Sequence, residues 1–117
     1  MVNLVQNPVI INAAGDPPKQ IEEFFGRAST KENGVSIARM VSPAGWSEPG
    51  QCPEFDEYTV VLKGELVIET EDTTLHVKAG QAVMAGRGEW VRYSTPECAE
   101  YISVCIPAFG NDGAHRD

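Results

Sequence analysis

Short runs in which apolar residues recur at every second position dominate the chain from Val35 onward, and turn-forming residues cut them at intervals of about ten. A period of two belongs to strands with one buried face, whereas a buried helix face repeats every 3.6 residues. The run 35–41 stops at Ser42-Pro43-Ala44-Gly45, and a loop from Trp46 to Phe55 carries Pro49, Gly50 and Pro53. Tyr58-Thr59-Val60-Val61-Leu62 is rich in β-branched and aromatic residues, breaks at Lys63-Gly64 and resumes as Glu65-Leu66-Val67-Ile68-Glu69. That pattern predicts a hairpin with its turn at the glycine. Glu71-Asp72-Thr73 makes the next turn before a strand at 74–77, and glycine- and proline-containing turns then separate 81–85, 89–93 and 100–106. Many short strands at this spacing predict an all-β barrel or sandwich.

The N-terminal third reads differently. Pro8-Val9-Ile10-Ile11 is a candidate edge strand, available to a second subunit, and Gly15-Asp16-Pro17-Pro18 is a break that ends it. Ile21-Glu22-Glu23-Phe24-Phe25, ended by Gly26, reads as one helical turn, and the polar, glycine-containing segment 110–117 reads as a frayed tail. The expected organisation is therefore an arm (1–34), a barrel (35–109) and a flexible tail (110–117).

With 117 residues the chain is the size of one domain with one core. A formal net charge of −8 repels phosphate backbones and anionic lipid, which turns the expectation away from nucleic-acid and membrane partners. No apolar run reaches the roughly 20 residues of a membrane span, and the N-terminus lacks the pattern of a secretory signal. Cys52, Cys98 and Cys105 are odd in number and form no CxxC pair, which argues for a reducing, cytoplasmic compartment over a disulfide scaffold.

Glu57 precedes Gly64 with six residues between them, and Gly80 opens Gly80-Gln81-Ala82-Val83-Met84-Ala85-Gly86-Arg87-Gly88. These segments resemble the two signature motifs of the cupin superfamily. The stretch from Ser94-Thr95-Pro96 to Cys105-Ile106-Pro107-Ala108-Phe109 is similar to small single-domain cupins of the ethanolamine-utilisation type. The resemblance implies a jelly-roll barrel, a double-stranded β-helix, with the signature residues facing its interior. It also implies a three-histidine, one-glutamate metal centre, and here the chain departs from the family. The histidine positions read Gln51 and Pro53 (or Gly50 and Cys52 with the longer spacer) and Val91, and the chain holds only His76 and His115. A redox dioxygenase is therefore not expected, nor any cofactor; an atypical divalent-metal set would have to use Gln51, Cys52 and Glu57.

Alternation puts Glu57 on one face with Thr59 and Val61, and the motif turns that face inward. Its carboxylate is the candidate acid/base, with two other readings open: a surviving metal ligand, or an acceptor for backbone donors at the barrel mouth. Tyr93 shares the inward face with Val91 and is the second catalytic candidate. Gln51, Trp46, Met84, Val91 and Arg39 complete the expected ligand pocket, although Arg39 has no assignable face. The functional expectation is a small-molecule-binding barrel, as an isomerase, lyase or cyclase with Glu57 as acid/base. The alternatives are a non-catalytic binding or sensing module and a structural dimer. Tyr58, Val60 and Leu62 opposing Thr59 and Val61 leave both strand faces apolar, so a homodimer is expected.

Overall fold

A computed structural model of the chain describes residues 2–117. In chain order these form β1 (Val9–Asn12), β2 (Gln20–Phe25), β3 (Ser36–Ser42), β4 (Trp46–Ser47), β5 (Asp56–Lys63) and β6 (Glu65–Thr70). Next come β7 (Thr74–Lys78), β8 (Ala82–Ala85), β9 (Val91–Thr95), β10 (Ala99–Ile106) and a single helical turn, α1 (Asn111–Ala114). Antiparallel pairing orders them as a six-stranded sheet, β1-β2-β3-β10-β5-β8, and a four-stranded sheet, β4-β9-β6-β7. The inner faces share one core, in which Val61 and Tyr101 of the first sheet meet Leu66, Ile68, Val77 and Val91 of the second. The architecture is the all-β barrel expected from the alternation, in the jelly-roll form that the cupin resemblance implies. Thr59 and Val61 are buried while Tyr58, Val60 and Leu62 stand outside.

Three local expectations are corrected. The predicted hairpin at Gly64 is a crossing between sheets. β5 pairs with β10 and β8, and β6 pairs with β7 and β9. Gly64 takes φ +75° there, and a Cβ would strike the Cys98 carbonyl and Ala99, so the corner requires glycine. The predicted helical turn at 21–25 is strand β2, hydrogen-bonded to β1 on one side and β3 on the other. An isolated turn would leave most of its backbone groups unpaired, and the ladder satisfies them.

The tail does not hang free. Cys52 N–H donates to the His115 carbonyl at 3.2 Å, Glu54 N–H to Gly113 at 2.8 Å and Asp117 N–H to Gly50 at 2.8 Å. Ala114 is fully buried under these bonds. β1 is an edge strand as expected, with Ile10 opposite Glu22 of β2. Among the described residues no helix is long and apolar enough to cross a membrane.

Candidate functional site

Small inward side chains leave one end of the barrel hollow. On β3 the inward positions include Ser36 and Ala38, on β5 Thr59, and on β10 Ser103 and Cys105. A narrow cavity opens over them, with about 50 Å³ accessible to the centre of a water molecule. Residues from both flanks close it: Ala13, Ala14 and Lys19 before β2, Glu48 and Gln51 after β4, and Phe109 and Arg116 from the tail.

Glu57, at the start of β5, reaches into this space and accepts on both oxygens. Tyr93 O–H donates to Oε1 at 2.8 Å, and the Cys105 thiol lies 3.6 Å from Oε2. Burial, reinforced by the Glu57 charge, holds the Tyr93 phenol well above its ordinary range and pushes the Cys105 thiol up as well. Both groups stay protonated and act as donors. Cys105 is thus a buried hydrogen-bonding thiol.

Glu48 was not anticipated. It follows the two-residue strand β4, is half-buried, and faces the same cavity. Burial pushes its carboxyl up to about 7, and the Glu57 charge adds to the rise, against the pull of Lys19 and Arg116. Lys19 was missed too. Its Nζ donates to the Tyr101 hydroxyl oxygen at 3.2 Å and sits 4.0 Å from the centroid of the Trp46 ring. A third carboxylate, Glu23, is engaged at Oε2 by the backbone N–H groups of Ala28 and Ser29, at 3.0 and 2.8 Å. It pins the 26–30 loop. Neither Lys19 nor Glu48 lies in an alternating run, so only closure of the barrel reveals them.

Of the expected pocket residues, Glu57, Tyr93 and Gln51 are brought together on the cavity. Gln51 also joins β9 to the tail through its backbone, exchanging two 2.9 Å bonds with Val91 and bridging to Arg116. Val91 is core, buried with Leu66 and Ile68. Trp46 is core as well, and it meets the cavity through two of its lining residues, donating from Nε1–H to the Ala14 carbonyl at 3.3 Å and lying under Lys19. Met84 is not a pocket wall. It pairs with outward Tyr58 and is 49% exposed, because its parity follows that partner across the ladder. Arg39 also faces away from the cavity, bridging Glu22 and Glu100 at 3.1 Å each.

The donor set does not fit the metal centre that the cupin resemblance implies. Val91 offers no ligand, His76 and His115 stand on the surface beside Glu65 and Glu54, and Glu57 is engaged by Tyr93 and Cys105. Nor does Cys52 join Gln51 and Glu57 on the cavity. Among the described residues no three of His, Cys, Asp and Glu gather as a metal would require.

Comparison with known proteins agrees with this architecture. Residues 51–111 match the sequence model of the family described as ethanolamine utilisation protein EutQ. Over 104 residues, 87% of this chain, the sequence is 45% identical to the endoribonuclease YbeY of Myxococcus xanthus, and it spans 35% of that protein's length. A predicted oxalate decarboxylase from Thermotoga maritima superposes with a TM-score of 0.73 at 19% identity, over 92% of this chain and 99% of that one. The polyketide cyclase RemF of Streptomyces resistomycificus does so with a TM-score of 0.70 at 15% identity, over 97% and 89%. Solved EutQ structures and a cupin domain share the fold too. The chain belongs to the EutQ family of ethanolamine utilisation proteins, a cupin-fold group.

Proposed function

We propose that this protein is a small-molecule enzyme moving protons inside the hollow end of its barrel, in chemistry of the isomerase, lyase or cyclase type. The observation that carries the reading is Glu48, a carboxyl pushed up to about 7 on the same enclosed cavity as Glu57. A group titrating near neutrality is present in both forms, as a general acid/base must be. Glu48 therefore takes the proton-carrying role that the motif alone would assign to Glu57. Glu57, fixed by Tyr93, supplies a stationary negative charge that holds the proton on Glu48 until a basic atom of the substrate accepts it, leaving Glu48 as the carboxylate. Gln51, buried on the cavity wall, orients a polar group of the substrate.

Small-molecule chemistry on structurally similar barrels, a polyketide cyclase and a predicted oxalate decarboxylase, supports the class of reaction. Ribonuclease activity gains no such support, because a net charge of −8 opposes a phosphate backbone. The second reading, a binding module without turnover, is favoured by the hydrogen-bonded contacts that already engage both Glu57 oxygens.

Deuterium exchange separates the two. Small ketones, aldehydes and carboxylic acids are incubated with the protein in D2O and followed by proton NMR for loss of carbon-bound hydrogen. The wild-type protein is expected to exchange at least one of them. Glu48→Gln is expected to slow that exchange by about a hundredfold or more. Exchange in none of the compounds that bind, or full exchange by the variant, overturns the reading.

A further inference from the structure

Lys19 is 9% exposed, and its ammonium has three N–H donors but, among the described residues, one oxygen acceptor, the Tyr101 hydroxyl. The Trp46 face covers it at 4.0 Å and the Tyr101 ring lies 5.5 Å away. The Tyr101 oxygen also lies 2.9 Å from Ser42 Oγ, and either hydroxyl can be the donor. Among the described residues no carboxylate forms an ion pair with Lys19. A buried cation without a direct ion pair is costly to keep.

The cavity's own carboxylates are committed elsewhere: Glu23 to the Ala28 and Ser29 amides, Glu57 to Tyr93 and Cys105. Glu48 keeps its proton up to about neutrality. A ligand bound in the cavity can supply the remaining acceptor together with a negative charge.

The geometry points to an anion subsite at Lys19 that receives the carboxylate of a small organic monoacid bound in the cavity. The inference rests on the proposed function to the extent that this cavity holds a small molecule. A monoanion fits better than a dianion, because the Glu23 and Glu57 carboxylates line the same space and repel a second negative charge, which Arg116 offsets only in part. Ile21, Ala38, Met40, Phe55 and Phe109 supply an apolar wall for a short carbon chain. The narrowness of the cavity limits that chain to a few heavy atoms. With its carboxylate on Lys19, such an acid would lie beside Glu48.

Propionate and its neutral amide, propionamide, test the subsite by NMR titration of the whole chain. Propionate should bind at least about tenfold more tightly than propionamide, and Lys19→Met should weaken propionate at least about tenfold without affecting propionamide. Should circular dichroism show that the variant fails to fold, the Lys19 Nζ and Cε resonances of the wild-type protein decide. Propionate must shift them and propionamide must not. Equal affinity for acid and amide, unweakened propionate binding by a folded Lys19→Met, unmoved Lys19 resonances, or no saturable binding at tens of millimolar overturns the subsite. Propionate binding without deuterium exchange in any compound would keep the subsite and remove the enzyme reading. Exchange confined to neutral compounds would do the reverse.

Discussion

At Val61 the interior of the barrel changes character. Toward one end, Val61, Tyr101, Leu66, Ile68, Val77 and Val91 fill the space between the sheets, with Trp46 and Ala99 beside them. Toward the other, Thr59, Ser103, Ala38 and Ser36 leave it open, and charged side chains arrive from loops and the tail. The same strands build both ends, so alternation makes the wall and side-chain size decides whether the wall encloses a core or a cavity. One end holds the fold together. The other concentrates the groups that cost stability, as functional sites do.

Truncation gives the largest test of that contrast. Leu66→Ala, at a position with no exposure, is expected to cost about 3 kcal/mol in urea unfolding. Ser103→Ala removes only the 3.2 Å hydroxyl contact with Thr59 and should cost about 1 kcal/mol or less. Equal costs would abolish the distinction between the two ends.

The next effect has the opposite sign. Because burial raises the Glu48 carboxyl from 4.5 to about 7, the folded state binds that proton more tightly than the unfolded chain does. Its contribution favours folding fully below pH 4.5, fades as pH rises, and is lost above about 7. Glu48→Gln should therefore match wild type near pH 4 and be more stable at pH 8, by on the order of 2 kcal/mol. Thermal melts at the two pH values check this. A variant less stable than wild type at pH 8 would mean that the charge itself holds the hollow end together.

The smallest effect on the fold comes from the outer face of the six-stranded sheet. Tyr58, Val60 and Leu62 are 44–47% exposed there, next to Met84 and Ile106. A contiguous apolar surface of this kind fits a second copy of the chain, and we expect a homodimer by light scattering at micromolar concentration. Val60→Asp should shift the mass toward monomer while leaving the interior undisturbed. A wild-type monomer would refute the pairing.

Alternation grouped Thr59 with Val61, opposite Tyr58 and Val60, and Val91 with Tyr93, and the cupin-like motif turned both pairs inward. Alternation failed where the two faces of a strand do not contrast. In Ala82-Val83-Met84-Ala85 both faces are apolar, and only the ladder to β5 shows that Met84 points out. In β2, Glu22 and Glu23 mimic a helical turn, although Glu22 joins Arg39 outside while Glu23 turns in to hold the 26–30 loop. The hairpin signal at Lys63-Gly64 was a true signal for a sharp corner and silent on which strands would pair across it. Three residues of the candidate site were legible, Glu57, Tyr93 and Gln51. Lys19 and Glu48 were not, because loop residues acquire a place only when distant strands bring their ends together.

The position of β10, between β3 and β5, has a consequence for how the barrel comes into being. The strand at the middle of the larger sheet is the last of the ten to be synthesised, and both of its partners precede it. Until residues 99–106 emerge, β3 and β5 each present an open hydrogen-bonding edge to whatever is nearby. Such a chain can assemble β6 with β7 early, from local contacts, but it completes its larger sheet in one late insertion. The period before that insertion is when the nascent protein is most exposed to aggregation through strand pairing.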